Sequence, residues 1–183
     1  MIVEILSIPE VLLLTPPRFQ DSRGFFSETW KQGTYAEAGI AGPFIQDNHA
    51  ASTSKFVVRG LHCQIGPNAQ GKLVRVIRGA IWDVAVDVRP GSPTYGQHAG
   101  AELTADNWRQ LWCPPGFLHG YCTLTEETEV IYKVTAPYDR AAERGVIWND
   151  PTLAVPWPID PAAAVLSDKD LLLPKLSACG AWA

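Results

Sequence analysis

The chain has 183 residues, a formal net charge of −4 and four cysteines, and this length suits one domain over residues 1–183 that buries a core without disulfides. Lys and Arg are scattered, which argues against a nucleic-acid partner, and the longest apolar run near the start, Val11 to Leu14, is too short for a membrane span. The cysteines lack C-x-x-C spacing, so we expect free thiols in a cytoplasmic protein.

Short strands and turns are predicted through the first quarter of the chain. Residues 2–14 favour two strands interrupted at Pro9, and residues 19–28 favour a turn that leads into an aromatic strand. The best helix candidate of the first half runs from Lys31 to Ala41. Residues 44–49 return to strand.

Four polar side chains lie within fourteen residues in the strands that follow: Arg59, His62, Gln64 and Lys72. Strand alternation puts His62 and Gln64 on one face, and Lys72 on the same face as two valines. A lysine beside two valines is expected at the wall of an apolar cavity, unless its ammonium simply reaches water at the strand end. Convergence of four polar groups on one hairpin favours the cavity.

Strands dominate up to residue 150. They are predicted at residues 80–88, 96–103, 107–113 and 129–135. In the last of these, Tyr132 shares a face with two valines and is expected to point inward. Short strands without strand–helix alternation are typical of a β-sandwich or β-barrel. Proline-rich loops then lead to residues 167–174, which favour a short helix or an extended cap.

A metal site is one interpretation of two histidines, His62 and His119. Cupin barrels hold a metal with His-x-His and Glu on one motif and a distant His on another, and Pro114-x-Gly116-x-x-His119 is similar to the second motif. The first motif is broken, because Gln64 replaces a histidine and Lys72 lies near the carboxylate position. A neutral amide is a poor ligand for zinc or iron, and an ammonium repels a cation. We therefore predict no metal.

Acid–base chemistry without a cofactor is the other interpretation. It needs a base that titrates near neutrality, an orienting carboxylate, a cation for a developing oxyanion and an acid on the opposite face. Free histidine titrates at about 6.5, so His62 suits the base, Lys72 the cation and Tyr132 the acid. Asp168 or Asp170 is suited to orient the histidine, and the spacing leaves both open. A core tyrosine bonded to a backbone carbonyl is the structural alternative for Tyr132.

Blocks of characteristic sequence are spread over almost the whole chain. They are Phe19-x-Asp21-x-Arg23-Gly24-x-Phe26-x-Glu28, Gln46-Asp47-Asn48, Arg59-Gly60-Leu61-His62, Gln70-x-Lys72-Leu73, Asp83-Val84-Ala85-Val86-Asp87-x-Arg89, Pro115-Gly116-Phe117-x-His119-Gly120, Tyr132-Lys133, Trp148-Asn149-Asp150-Pro151 and Ser167-x-Lys169-Asp170. Together they resemble the dTDP-4-dehydrorhamnose 3,5-epimerase family, cupin-like enzymes of deoxysugar nucleotide biosynthesis.

The resemblance implies an all-β fold, a double-stranded β-helix or cupin-like jelly roll with a few short, mainly C-terminal helices. It implies a homodimer without metal or organic cofactor that binds a dTDP-sugar. Its reaction would invert C3, and C5 as well, of a dTDP-4-keto-6-deoxyhexose through an enolate, in dTDP-L-rhamnose biosynthesis. Alternatives are a 3-only or 5-only epimerase of another nucleotide–4-ketosugar pathway, and a non-catalytic sugar-binding cupin. N-terminal apolar residues that look exposed fit the pairing: Ile2, Ile5, Val11 and Leu13.

Residue roles also follow from the resemblance. His62 matches the base, Asp170 its partner, Lys72 the group that stabilises the enolate and Tyr132 the acid. The positions that match substrate contacts are Phe19, Arg23, Phe26, Glu28, Gln46, Asn48, Arg59, His119, Tyr138, Glu143 and Lys169.

The chemistry of these contacts fits a nucleotide-sugar. Arg23, Arg59 and Lys169 suit a diphosphate, and Phe19 or Phe26 suits stacking on the nucleobase. In an acidic protein, a local cationic pocket is the expected means of attracting an anionic substrate.

One residue departs from the family pattern. Position 63 is usually aromatic in the family, and here it is Cys63. Strand alternation points it away from His62, so we expect a change in packing, and the apolar face argues against a reactive thiolate.

Overall fold

Two antiparallel sheets face each other in the computed structural model, which describes residues 1–40 and 42–179. The strands are β1 (Ile2–Ile5), β2 (Leu12–Thr15), β3 (Phe19–Asp21), β4 (Gly24–Phe26), β5 (Gln46–Ser52), β6 (Val58–Gln64), β7 (Lys72–Arg78), β8 (Ala80–Asp87), β9 (His98–Thr104), β10 (Gln110–Cys113), β11 (Phe117–Thr123), β12 (Thr128–Val134) and β13 (Glu143–Gly145). The α-helices are α1 (Gln32–Glu37) and α2 (Asp168–Leu171), with 3₁₀ turns at Gly66–Asn68, Pro161–Ala163 and Leu176–Ala178.

The strand order interleaves distant parts of the chain. The first sheet runs β1-β2-β10-β7-β12-β5, and the second runs β13-β6-β11-β8-β9. Strands β3 and β4 form a separate hairpin. Sequence-adjacent strands such as β7 and β8 fall into different sheets, as expected when two antiparallel sheets wind together into a jelly roll. The predicted all-β, cupin-like fold is confirmed.

The inter-sheet core follows from strand alternation. Val74 and Val76 of β7 and Val130 of β12 point inward and meet Ala85 and Phe117 of the opposite sheet. All five are buried. The predicted apolar inward face of β7 is therefore confirmed, and Lys72 lies at the end of that face.

The outer faces of the two sheets are covered differently. Helix α1 and the following turn place Tyr35 and Ile40 on the six-stranded sheet. The segment after β13 covers the five-stranded sheet and buries Leu153 and Leu176 against it. Because both faces of the five-stranded sheet are covered, β11 is buried along its entire length. This cover also brings the C-terminal segment to the back of β6.

The turn after β8 is anchored by a buried carboxylate. Asp87 is fully buried and accepts hydrogen bonds from Arg89 (Nε to Oδ1 2.9 Å), Thr94 (2.6 Å) and Ser92. Arg89 also bonds Glu10 at 3.0 Å. Burial alone would raise the pKa of Asp87, but these hydrogen bonds outweigh it and hold that pKa well below its usual range.

The first helix is shorter than predicted. The expected Lys31–Ala41 helix is reduced to Gln32–Glu37, and Ala41 lies outside the described residues. Gly39 has a φ of +84°, which an L-residue rarely adopts, and the helix ends before it.

The strand predicted at 107–113 begins only at Gln110. A turn precedes it, in which the Asn107 side chain accepts from the Thr104 backbone N–H and the Thr104 hydroxyl accepts from the Asn107 N–H. These local side-chain bonds compete with strand pairing.

Strand β1 is the exposed edge of the six-stranded sheet. Ile2 and Ile5 are 64% and 69% exposed, as predicted, but Val11 and Leu13 are buried in the inter-sheet core, so that part of the prediction was wrong. Leu13 pairs with Leu111 of β10 in this core, and Val11 lies two residues before it on the same face. None of the helices formed by the described residues has the length and apolarity needed to cross a membrane.

Candidate active site

A cavity of about 430 Å³ opens between the two sheets. Its polar wall is formed by Arg59, His62, Lys72, His119, Tyr121, Tyr132, Ser167, Lys169 and Asp170. A smaller adjoining pocket shares His62, Lys72 and Tyr132. It adds four other predicted contacts: Gln46, Asn48, Tyr138 and Glu143. The structure thus brings together all four predicted catalytic residues and seven of the predicted contacts.

An irregularity in β6 aims two of these residues into the same cavity. Simple alternation would place Arg59 and His62 on opposite faces. Against β11, however, Arg59 pairs with Tyr121 and His62 with His119, so β6 contains one extra residue, a β-bulge. Gly60 occupies the bulge at φ +120°, and a Cβ there would lie 2.7 Å from the backbone of the facing strand.

His62 is held by a carboxylate from the C-terminal segment. Its Nε2 lies 2.7 Å from Oδ1 of Asp170, which is buried. Burial would raise the pKa of Asp170, but the hydrogen bond and charge of His62 outweigh it and lower that pKa. An ionised carboxylate only accepts, so Nε2 carries a proton toward Asp170, and in the neutral form of the imidazole Nδ1 presents its lone pair.

Helix α2 delivers Asp170 through its N-terminal cap. The Ser167 hydroxyl accepts from the Asp170 backbone N–H at 3.2 Å, which places Asp170 at the third helical position of an S-x-x-D capping sequence. Its neighbour Asp168 is exposed. Of the two carboxylates left open by the sequence, Asp170 is the one that contacts the histidine.

Lys72 brings a cation to the cavity wall. Its Nζ lies 3.4 Å from the backbone oxygen of His62, and it forms no ion pair among residues 1–40 and 42–179. Burial lowers its pKa, and this effect is partly offset by nearby Cys113, Cys63 and acidic groups. An ammonium without a carboxylate partner is available to a developing negative charge.

Tyr132 stands on the sheet opposite His62. It lies on β12, where it pairs with Asn48 of β5 and Val74 of β7, and it packs on the inter-sheet core. Burial raises the pKa of Tyr132, while the charge of Arg59 acts to lower it. Within the described part of the chain its hydroxyl makes no internal hydrogen bond. Tyr132 is therefore not a core tyrosine bonded to a backbone carbonyl, which was the structural alternative.

His119 is the strand neighbour of His62 and has its own carboxylate. Its Nε2 lies 2.7 Å from Oδ1 of Asp83, which is fully buried. Asp83 was not among the predicted site residues. Strand alternation already puts Asp83 on the inward face of β8. The sequence did not show that β8 pairs with β11, which is a long-range contact that brings Asp83 next to His119.

Polar contacts order the rim of the cavity. Lys169 Nζ lies 2.6 Å from Glu143 Oε1, and the Tyr138 hydroxyl donates to Glu143 Oε2 at 3.0 Å. Gln46 Nε2 donates to Asn48 Oδ1 at 2.8 Å. These residues come from both sheets and the C-terminal segment, and they present cations, amides and a carboxylate toward one opening.

The β3–β4 hairpin does not reach this cavity. Phe19 and Phe26 are 61% and 69% exposed, and Arg23 forms an ion pair with nearby Asp21, at 2.6 Å. Neither these residues nor Glu28 line the cavity of their own chain. Four predicted substrate contacts are therefore separated from the other seven.

No metal centre emerges from the side chains of residues 1–40 and 42–179. Among them, no group of three or more His, Cys, Asp and Glu converges as ligands would. Gln64 is instead committed to backbone partners: it donates to the oxygens of Asn68 and Pro137 and accepts from the Asp139 N–H. Metal independence stays a prediction.

The outer face of β6, which the C-terminal segment covers, accommodates Cys63 in place of the aromatic residue usual in the family. It is buried among Leu61, Val84 and other apolar side chains behind the sheet. Burial raises the pKa of the Cys63 thiol to about 11, so it packs as a small apolar side chain.

Comparison with known proteins identifies the family. The family model described as dTDP-4-dehydrorhamnose 3,5-epimerase matches residues 5–178. The chain belongs to the dTDP-4-dehydrorhamnose 3,5-epimerase family. A dTDP-4-dehydrorhamnose 3,5-epimerase from Shigella flexneri is 49% identical over 165 residues, which cover 90% of each chain.

Solved structures of the 3,5-epimerase family share the whole fold. The crystal structure of dTDP-6-deoxy-D-glucose-3,5-epimerase from Legionella pneumophila Philadelphia 1, in complex with dTDP-4-keto-L-rhamnose, superposes with a TM-score of 0.93 at 40% identity, covering 98% of this chain and 94% of that one.

The sequence is also similar to that of an enzyme named for inversion at C3 only. A dTDP-4-dehydrorhamnose 3-epimerase from Streptomyces niveus is 38% identical over 170 residues, 92% of this chain and 81% of the relative. The family resemblance of the sequence is confirmed.

Proposed function

We propose that this chain inverts C3 and C5 of a dTDP-4-keto-6-deoxyhexose by transferring protons across the inter-sheet cavity. One observation carries the proposal: His62, which is paired with Asp170, and Tyr132 lie on opposite sheets of one cavity that Lys72 also lines. Epimerisation requires a proton to leave one face of a carbon and another to arrive on the opposite face. A binding protein would need no such opposed pair.

The proposed steps balance in protons and charge. Nδ1 of His62 takes the proton from the carbon next to the C4 ketone, and Asp170 stabilises the imidazolium that forms. The electrons move to the C4 oxygen, where the Lys72 ammonium stabilises the enolate. Tyr132 then donates its phenolic proton to the other face of the carbon and the ketone reforms. Solvent returns a proton to Tyr132 and removes one from His62.

A rise in the pKa of Tyr132 serves this assignment. Its burial keeps the phenol protonated and ready to donate at neutral pH. An enolate is a stronger base than a phenolate. A phenol whose pKa is raised can therefore still protonate it.

The nucleotide portion is assigned to the rim. Arg59 and Lys169 are exposed cations at the opening and suit the diphosphate. Gln46 and Asn48 offer amides to polar edges of the substrate. A localised cationic rim on an acidic chain attracts a nucleotide-sugar to this opening.

We further propose that the active form is a homodimer in which the β3–β4 hairpin of one chain completes the cavity of the other. The support is a mismatch: Phe19, Arg23, Phe26 and Glu28 match substrate contacts of the family, yet they lie outside the cavity of their own chain. The hairpin's exposed aromatic side chains and the exposed apolar edge of β1 supply surface for closed two-fold pairing.

Light scattering and subunit mixing test the dimer. The expected mass is twice the chain's 20.0 kDa. Arg23→Ala and His62→Ala should each be inactive, but mixed dimers should regain activity, because one of their two cavities receives an intact hairpin and an intact base. A monomer at micromolar concentration, or no recovery after verified subunit exchange, would contradict this arrangement.

Incubation with dTDP-4-keto-6-deoxyglucose in D₂O tests the reaction. Deuterium at both C3 and C5 of the inverted product, read by NMR, is the expected result. Label and inversion confined to C3 would instead support a 3-epimerase, which the similarity to the Streptomyces niveus enzyme makes the second candidate. No exchange with this or other nucleotide–4-ketosugars would favour a binding protein.

A further inference from the structure

Tyr121 is a second tyrosine in the cavity wall, and the proposed reaction does not use it. It lies on β11, opposite Arg59 of β6 and Asp83 of β8, and contributes to the same wall as His62. Only 4% of the residue is exposed. Its hydroxyl oxygen is buried and has no hydrogen-bond partner among residues 1–40 and 42–179.

A buried hydroxyl without a partner is uncommon in native proteins. Leaving such a group unsatisfied destabilises the folded protein, whereas a phenylalanine of the same shape would avoid that cost. The neighbouring strand has a second such atom: Asp83 Oδ1 lies 2.7 Å from His119 Nε2, but Asp83 Oδ2 has no hydrogen-bond partner in the described part of the chain. Of these two strand partners, Tyr121 lines the cavity, while Asp83 is fully buried behind it.

We propose that the Tyr121 hydroxyl determines substrate specificity by hydrogen-bonding a ring hydroxyl, at C2 or C3, of the bound 4-ketosugar. This inference rests on the proposed function of the cavity. The chemistry of the ring supports it, since C1 carries the diphosphate, the C4 oxygen is assigned to Lys72 and C6 is a methyl group. Besides the ring oxygen, the hydroxyls at C2 and C3 are the remaining polar groups of the ring.

The placement of Tyr121 distinguishes its role from that of the acid. Tyr121 belongs to the five-stranded sheet and stands one strand from His62, on the side where the proton leaves. Burial raises its pKa further from neutrality, while Arg59 acts to lower it. It is therefore a neutral donor that orients the ring toward His62, and its hydrogen bond is present before and during proton transfer.

Specificity against deoxy analogues is the measurable consequence. A site built to hydrogen-bond a substrate hydroxyl discriminates against analogues that lack it, because its buried polar group then stays unpaired. The experiment compares kcat/KM of wild type and Tyr121→Phe on three substrates: dTDP-4-keto-6-deoxyglucose and its 2-deoxy and 3-deoxy analogues. Turnover is read as deuterium incorporation in D₂O.

Tyr121→Phe should lose roughly 10-fold in kcat/KM on the parent and on the analogue that keeps the bonded hydroxyl, as for one neutral hydrogen bond. On the analogue that lacks it, the two proteins should be equal. The identity of that analogue assigns the hydroxyl to C2 or C3. Tyr95→Phe, at a half-exposed tyrosine outside the cavity, should match wild type on all three substrates.

Two results would overturn the proposal: no loss on the parent, or an equal loss on all three substrates at equal concentrations of folded protein by circular dichroism. The melting temperature of Tyr121→Phe without substrate should equal or exceed that of wild type, because an unsatisfied hydroxyl is removed; a lower value would mean a purely structural role. Failure of the proposed function is distinguishable, since wild type would then show no turnover of the parent.

Discussion

Asp170→Asn tests whether the C-terminal carboxylate activates His62. The bond to be lost joins Nε2 and Oδ1 at 2.7 Å, and the Asp170 side chain is only 6% exposed. Water therefore cannot replace the carboxylate. An asparagine keeps the shape but carries no charge, and its amide can present a donor to Nε2. In that orientation Nδ1 holds the proton and cannot accept another.

The size of the loss follows from these two effects. A hydrogen bond to a charged group contributes about 1.5–3 kcal/mol, which is about 10- to 150-fold in rate at roughly 1.4 kcal/mol per factor of ten. The wrong tautomer adds to this, as the corresponding change costs about 10⁴ in a serine protease. Because Lys72 and substrate binding remain, we expect a loss on the order of 10²–10³ in kcat.

The assay is deuterium wash-in at C3 under saturating substrate, with kcat and KM determined separately. Asp168→Asn is the matched control, since Asp168 lies in the same helical turn but is exposed, and it should match wild type. Wild-type kcat in Asp170→Asn, or a comparable loss in Asp168→Asn, would refute the assignment of Asp170 as the partner of His62.

Three further predictions concern the acid, a metal and the fold. Tyr132→Phe should still exchange deuterium into substrate without inversion, whereas His62→Ala should do neither; inverted product at a near-normal rate from Tyr132→Phe would assign the acid elsewhere. Turnover should survive exhaustive chelation, and a loss restored by one divalent ion would contradict a metal-free reaction. Asp87→Asn should lower the free energy of unfolding by about 2–4 kcal/mol in urea titrations, while Asp21→Asn, in the same Asp-x-Arg arrangement on the surface, should change little. The lowered pKa of Asp87 means that its stabilisation is complete above about pH 4 and is lost as pH falls through the folded-state pKa, so the Asp87→Asn difference should shrink in acid.

Local rules predicted the parts of the site that depend on single strands. Lys72 and Tyr132 face inward as strand alternation requires, because each lies in a stretch of strand that is paired on both sides in unbroken register. Strand alternation did not predict the orientation of Arg59, because only the bulge at Gly60 turns it to the same side as His62. A bulge depends on the partner strand, which the sequence of β6 alone does not identify.

Contacts between distant segments could not be predicted from strand and helix patterns, and only the family resemblance indicated Asp170 as the partner of His62. His62 and Asp170 are 108 residues apart, and the choice of Asp170 over Asp168 depends on how α2 docks. Asp83 and Tyr121 were missed for the same reason, because their neighbourhood arises from strands that pair across the sheet. The shortened first helix reflects a glycine conformation that propensity alone did not weigh.

The docking of the C-terminal segment has a consequence for how this protein loses its activity. The segment follows the strands of both sheets in the chain, and it is held on β6 by polar contacts such as Val58 N–H to Val165 O at 2.9 Å and His62 Nε2 to Asp170 Oδ1 at 2.7 Å, together with the apolar contacts of Leu153 and Leu176. In the finished protein, partial detachment of this segment removes Asp170 from His62 while both sheets stay folded. Activity should then decay on mild heating before the β-sheet circular dichroism signal does.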